Sequence, residues 1–309
     1  MALSKPKNSK PSKEILRHSA ELKKKKRIGS FVIFWILIVL VISGAGYLLY
    51  CPALAITKVS VEGARVMDSN NISDYVIQAI SGKFWFVFPE RNDLLYPARG
   101  IEAGLLKKFP RLAEATIDLT DRNSLVVSVK ERDLDTVWCR GNEVTEAVAS
   151  STESEPAEND CYFADDRGLV FAPAPTFVGS VFVELHGGLA SDPIGTNPLS
   201  ESAYKIASGF AKTLPNVFNK TANSQYRFLA VNILDKDDYS AIVVDSSRTG
   251  DNIWQILIGS DTDANTLAGN LYTILESSAF RKDMLDHKNN ISSIDLRYGK
   301  KVFYKFKDH

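Results

Sequence analysis

Three hydrophobic patterns follow one another along this chain. The first is an unbroken apolar run over Ile28–Tyr50, IGSFVIFWILIVLVISGAGYLLY, with no charged residue in it. A helix packed into a folded core keeps one polar face, and this run has none. As a helix it rises roughly 34 Å at ~1.5 Å per residue, enough for a ~30 Å hydrocarbon core. The pattern predicts a single transmembrane helix over residues 28–50.

The second pattern, over residues 54–132, alternates between strand and helix periods. Ile56–Val61 has strand character and ends at Glu62-Gly63. Ile72, Val76, Ala79 and Ile80 share one helical face, with Asn71 or Ser73 as cap and Gly82 as stop. An aromatic stretch, Phe84-Trp85-Phe86-Val87-Phe88, reads either as core or as an exposed partner patch. A second helix has Pro97 in its first turn, the stripe Ile101, Leu105 and Phe109, and Pro110 at its end. Strands at Ala115–Leu119 and Leu125–Lys130 close the segment around Asp121-Arg122-Asn123. The order strand, helix, helix, strand, strand is an α+β layout, both helices covering one face of a small sheet.

The third pattern, over residues 133–306, predicts a second mixed α+β domain with an antiparallel-rich sheet. Strands are expected at Thr136–Cys139, on both sides of the Asp165–Gly168 turn, and at Val181–Leu185. Further strands are expected at Phe228–Leu234, Tyr239–Val244 and Trp254–Ile258. Helices are expected after Ser200, with Ala203, Ala207, Phe210 and Leu214 inward, and from about Ala264 to Ser278. Ile291–Leu296 and Lys301–Phe306 read as a closing hairpin. Residues 145–160 are acidic and Ser-rich, which predicts a solvated loop.

Charge sharpens the picture. The formal net charge is zero, yet residues 1–27 hold ten Lys/Arg against two acids. Such a segment buries too little apolar surface to order itself. It reads as a disordered basic tail on the cytoplasmic side, with the bulk of the chain extracytoplasmic. Ala53-Leu54-Ala55 resembles a signal-peptidase site, but signal cores are shorter than this run. Cys51 lies where a lipid could be attached, but the bulky Tyr50 precedes it. An uncut, single-pass span is therefore expected.

The motifs carry a resemblance. Val59-x-Val61-x-Gly63, Lys107-Lys108-Phe109-Pro110 and Val127-x-Val129-x-Glu131-Arg132, in that order, resemble a POTRA (polypeptide-transport-associated) domain. Trp138 follows, then Asp165, Gly168, Val170 and Phe171 in an Asp-x-x-Gly-x-Val-Phe turn. Ile258-Gly259, the helical stripe Leu267–Leu275, and Ile294-Asp295-Leu296-Arg297-Tyr298 come after it. The ordered set, over roughly residues 28–306, resembles the FtsQ/DivIB family of bacterial cell-division proteins. The chain departs from that family in the insert between Cys139 and Cys161 and in the aromatic run. The resemblance implies a bitopic scaffold of the divisome, a type II protein of the cell membrane at the division septum. It would bind FtsL/FtsB-type bitopic proteins and link them to septal wall synthesis. A POTRA-containing export or assembly factor is the alternative.

Chemistry is sparse. No Gly-x-Ser-x-Gly, phosphate loop or dinucleotide fingerprint is present. None of the four histidines stands at metal-ligand spacing. Asp261-x-Asp263-x-Asn265 opens like a calcium loop, but Thr266 and Tyr272 occupy its glycine and closing-acid positions. No enzyme activity, cofactor, nucleic acid or small-molecule substrate is expected. Cys139 and Cys161 flank the acidic loop and can pair outside the cytoplasm, the alternative being two unpaired thiols. The best partner site is the last hairpin. In Lys301–Phe306, Lys301, Phe303 and Lys305 alternate with Val302, Tyr304 and Phe306, and Arg297 and Tyr298 precede them. A terminal strand at a sheet edge can be extended by another chain, and the resemblance implies partner binding in this C-terminal part.

Overall fold

The computed structural model describes residues 31–44, 46–47, 54–81, 83–84, 88–89, 96–121, 123–140, 161–175, 182–221, 223, 225–247 and 252–307. Helix α1 is described over 31–44, a rise of about 20 Å at ~1.5 Å per residue, and residues 46–47 are helical as well. Among the described residues, no helix is long and apolar enough to cross a membrane. This corrects the fold class expected at the N terminus, where a single transmembrane helix over 28–50 was read from hydropathy. The localisation falls with it: the single-pass type II placement at the septum, bulk extracytoplasmic, rested on that span. Absence of charge says how apolar a run is and does not fix how far a helix extends. The basic tail, the acidic loop and residues 28–30 and 48–50 lie outside the described residues.

The chain is α+β and divides into two compact units, the larger including Gly63–Arg65, Ala103–Ala115 and Val129 onward. The small sheet has β1 (Lys58–Glu62), β5 (Ser124–Glu131) and β4 (Leu112–Asp121), with β5 central. β1 and β5 run parallel, Val59 opposite Leu125 and Val61 opposite Val127. Helix α2 (Ser69–Ile80) buries Ile72, Val76 and Ile80, the expected stripe. Its cap is Asp68, whose carboxylate accepts the Asn70 N–H at 2.9 Å, so the helix begins earlier than Asn71 or Ser73. Two short strands, β2 (Lys83–Phe84) and β3 (Phe88–Pro89), pair antiparallel; whether the aromatic run is core or surface lies outside the described residues. Helix α3 (Ala98–Lys108) buries Ile101 and Leu105. Asn123 sits at φ 81° in the β4–β5 turn, and its carbonyl accepts the N–H groups of Thr57 (2.9 Å) and Lys58 (3.1 Å). Gly63, just past β1, has φ +87°, and a Cβ there would lie 2.1 Å from the Val129 carbonyl oxygen.

The larger unit is built on a nine-stranded sheet. Its strands are β6 (Thr136–Cys139), β7 (Cys161–Ala164), β8 (Val170–Pro173), β9 (Val183–His186), β10 (Tyr226–Ile233), β11 (Asp238–Asp245), β12 (Asn252–Gly259), β13 (Ile291–Tyr298) and β14 (Lys301–Phe306). They lie in the order β14-β13-β12-β11-β10-β9-β6-β7-β8. Pairing is parallel for β6–β9, β9–β10 and β12–β13, and antiparallel elsewhere, so the sheet is mixed. Alternate residues of β11 and β12, Tyr239, Ala241, Val243, Trp254, Ile256 and Ile258, share one core with the helices. Those helices are α4 (Glu201–Lys220), α5 (Ala264–Glu276) and α6 (Ser278–Asp286). The opposite face of the sheet holds smaller clusters, one of them around Ile242, Val244 and Ile253.

Two helical features exceed the expectation. α4 continues through Pro215 and buries Val217 and Phe218. α6 was not expected at all. Ser277 ends α5, turns to extended backbone, and caps α6 by accepting the Phe280 N–H. Three of the residues that carried the family resemblance, Trp138, Asp165 and Gly168, lie close around Tyr204 and its turn. Trp138 is fully buried and stacks on Tyr204 at 6.1 Å, and its indole N–H donates to the Gly187 carbonyl at 2.8 Å. The Tyr204 hydroxyl donates to Asp135 at 2.7 Å, and burial pushes its pKa far up. Asp165 holds the following turn: one carboxylate oxygen accepts the N–H groups of Arg167 (3.0 Å) and Leu169 (2.9 Å), and the other accepts Arg132 at 2.6 Å. Gly168 (φ +77°) passes so close to Tyr204 that a Cβ would lie 2.7 Å from its ring. These residues organise the larger unit from inside.

Candidate functional site

The closing hairpin turns at Gly299, whose φ is +65° and whose carbonyl accepts the Asn270 side-chain amide at 2.8 Å. β14 pairs with β13 alone and forms one end of the nine-stranded sheet. Its outer row of backbone N–H and C=O groups therefore faces no strand among the described residues. An open edge of this kind is a template for strand addition.

The two faces of β14 differ as the alternation predicts. Val302, Tyr304 and Phe306 pack against the core. Tyr304 donates its hydroxyl to Asp283 of α6 at 2.5 Å, and this hydrogen bond, ahead of burial, raises the phenol pKa. The Phe280 ring meets Tyr304 edge-on at 5.0 Å, and His287 lies flat on Phe306 at 4.2 Å. α6 thus holds the strand from behind. Lys301, Phe303 and Lys305 point the other way and are exposed. Phe303 is 53% exposed and meets the equally exposed Tyr298 edge-on at 5.3 Å. Two lysines flanking an aromatic pair beside an open edge form a cationic, apolar strip.

Arg297 plays a different part. Its guanidinium pairs with Asp295 at 2.7 Å and Asp238 at 3.2 Å. The Asp295 hydrogen bond raises the Arg297 pKa above its already high value. Burial by itself pushes the Asp295 carboxyl up, but the Arg297 hydrogen bonds and charge outweigh it and hold the group below the usual carboxylate range. Arg297 is occupied internally and pins β13 to the start of β11.

Of the residues singled out in the sequence, Tyr298, Lys301, Phe303 and Lys305 come together on the outer strip. Val302, Tyr304 and Phe306 form its inner support. Cys139 and Cys161 lie elsewhere, paired across β6 and β7 and joined by a disulfide with S–S 2.05 Å. They close a sequence separation of 22. Replacing either cysteine by serine is expected to cost about 3 kcal/mol, read as a matched shift in urea unfolding that dithiothreitol reproduces in the wild type. The calcium-like Asp263 caps α5, accepting the N–H groups of Asn265 and Thr266 and the Thr266 hydroxyl. Among the described residues no group of three or more His, Cys, Asp or Glu could hold a metal ion. Sequence reasoning missed the support behind β14, Asp283 and His287. The signal was there in Ser277 followed by Phe280 and Met284 at helical spacing. The chain matches no protein-family model and no curated protein.

Proposed function

We propose that this protein is a non-catalytic scaffold of the FtsQ/DivIB type, which binds small division proteins of the FtsL/FtsB type and links them to septal wall synthesis. The observation that carries the reading is the open edge of β14, backed by α6 and faced with Lys301, Phe303 and Lys305. Strand addition supplies ladder hydrogen bonds, and alternate side chains supply selectivity. The partner strand suited to this strip places acidic side chains beside the lysines and an apolar one against Phe303 and Tyr298. The Trp138–Asp165–Phe171 and Ile294–Tyr298 motifs support the same reading through their resemblance to the family.

The test is titration of the purified chain with a purified FtsB-type partner, followed by hydrogen exchange. Binding is expected to slow exchange of β14 amides. Phe303→Pro removes a ladder donor and the aromatic anchor together. A lost hydrogen bond costs ~1 kcal/mol and an aromatic anchor about 2 kcal/mol, so affinity should fall roughly hundredfold. This substitution is cleaner than truncation after Arg297, which would also strip Tyr304 and Phe306 from the core. Undiminished binding by Phe303→Pro would remove β14 as the site. Failure of every such division partner to bind the wild type would remove the scaffold reading itself.

A further inference from the structure

A histidine stands beside the disulfide. β6 and β9 run parallel, with Trp138 opposite Leu185 and Cys139 opposite His186. Trp138 and Leu185 lie in the core with the helices. Cys139 packs instead with Val137 and Ala174. Cys139 and His186 therefore rise from the other face of the sheet, on neighbouring strands ~4.8 Å apart. Cys161 extends the same row on β7, opposite Cys139. The two cysteines are not equally covered: Cys139 is 7% exposed, and Cys161 is only half-buried.

The imidazole of His186 has one partner where it could have two. Its Nε2 lies 3.4 Å from Oε2 of Glu184, two residues earlier on the same strand. A carboxylate there keeps the proton of a neutral ring on Nε2 and leaves Nδ1 as an acceptor. Nδ1 is buried and has no hydrogen-bond partner among the described residues, and the side chain as a whole is 13% exposed. A buried polar atom with no partner is uncommon and costs free energy. A disulfide sulfur has no proton to offer it. A thiol has one, and reduction of the neighbouring disulfide creates that thiol at Cys139. The partner missing from the oxidised protein is thus supplied by its own reduced form.

We propose that the Cys139–Cys161 disulfide is a reversible redox switch, whose reduction joins Cys139, His186 and Glu184 in a thiolate–imidazolium–carboxylate row. The reductant is a dithiol. Its thiolate attacks Sγ of Cys161, the more exposed sulfur. A mixed disulfide forms, the Cys139–Cys161 bond breaks, and Cys139 leaves with the electron pair as a thiolate. The second thiol of the reductant, deprotonated, displaces Cys161 from the mixed disulfide and leaves the reductant oxidised. Of the two protons the reductant gives up, one ends on Cys161 and the other on Nδ1 of His186, facing the Cys139 thiolate. An imidazolium beside it favours the thiolate, and a stabilised reduced form makes the disulfide easier to reduce. Reduction also unties the two ends of the insert from each other. Neither the open edge of β14 nor the scaffold reading is required for this.

The experiment is reduction of the full, folded chain in dithiothreitol redox buffers, with the thiolate read by its ultraviolet absorbance. Reduced wild type is expected to hold about one thiolate per chain near neutral pH. His186→Gln and Cys139→Ser should lose that signal, and Cys161→Ser should keep it. The redox equilibrium of His186→Gln should shift about tenfold toward the disulfide, and that of Glu184→Gln in the same direction by less. A histidine that only fills space would alter the unfolding midpoint alike in both redox states. Here His186→Gln should lower the midpoint of the reduced chain more than that of the oxidised chain. A reduced wild type without the thiolate, a thiolate that survives His186→Gln, an unshifted equilibrium, or a disulfide that dithiothreitol opens only in denaturant would each overturn the proposal.

Discussion

Replacing Gly63 with alanine is expected to lower stability by about 3–5 kcal/mol, against about 1 kcal/mol for the same change at Gly299. Both glycines have positive φ, +87° and +65°. They differ in what a methyl group would meet. At Gly63 it would lie 2.1 Å from the backbone oxygen of Val129; at Gly299 nothing lies within 4 Å. A backbone oxygen held in a sheet cannot swing aside as a side chain does, so the chain after β1 must pull away from β5. Urea unfolding of the two variants in parallel separates the steric cost from the conformational one. Equal losses at the two positions would mean that the close approach has no weight.

The second large effect is expected at Asp165. Its side chain is 5% exposed and answers the Arg132 guanidinium at 2.6 Å, itself 20% exposed. Removing one partner of a buried pair strands the other charge, at a cost of about 3–5 kcal/mol. Asp165→Ala also frees the N–H groups of Arg167 and Leu169, which the carboxylate accepts in the wild type. Asp165→Asn can keep one of these contacts and should cost roughly half as much. Arg132→Met provides the control. If the pair acts as described, Asp165→Ala combined with Arg132→Met loses less than the sum of the single changes, by more than 1 kcal/mol. Strict additivity would show that Asp165 acts through its turn alone.

What was legible in the sequence was local. Ile72, Val76 and Ile80 repeat at helical spacing and are buried on α2; Ala203, Ala207, Phe210 and Leu214 do the same on α4. Lys301–Phe306 alternates in sequence and in exposure. Trp138 and Gly168 both lie against Tyr204, and Asp165 holds the turn that carries Gly168. What was not legible depends on distant partners. Nothing in Val183–His186 announces that it runs parallel to both β6 and β10. The inward stripe read after Ser200 stopped at Leu214, whereas α4 runs on through Pro215 and packs Val217 and Phe218 into the core. α6 hides because Ser277 serves as the end of one helix and the cap of the next. The N-terminal run misled for another reason. Its lack of charge is a statement about side chains and does not by itself set the length of a helix.

One consequence follows from the bridge between β6 and β7. Cys139 and Cys161 face each other with Cα atoms 3.9 Å apart, so the intervening insert begins and ends at the same spot. A protease cut anywhere within it leaves the polypeptide covalently whole. Such a clipped molecule should migrate as one band in an oxidised gel and fall into two fragments only after reduction. The insert can therefore change in length or sequence, or be severed, without pulling the two neighbouring strands out of register.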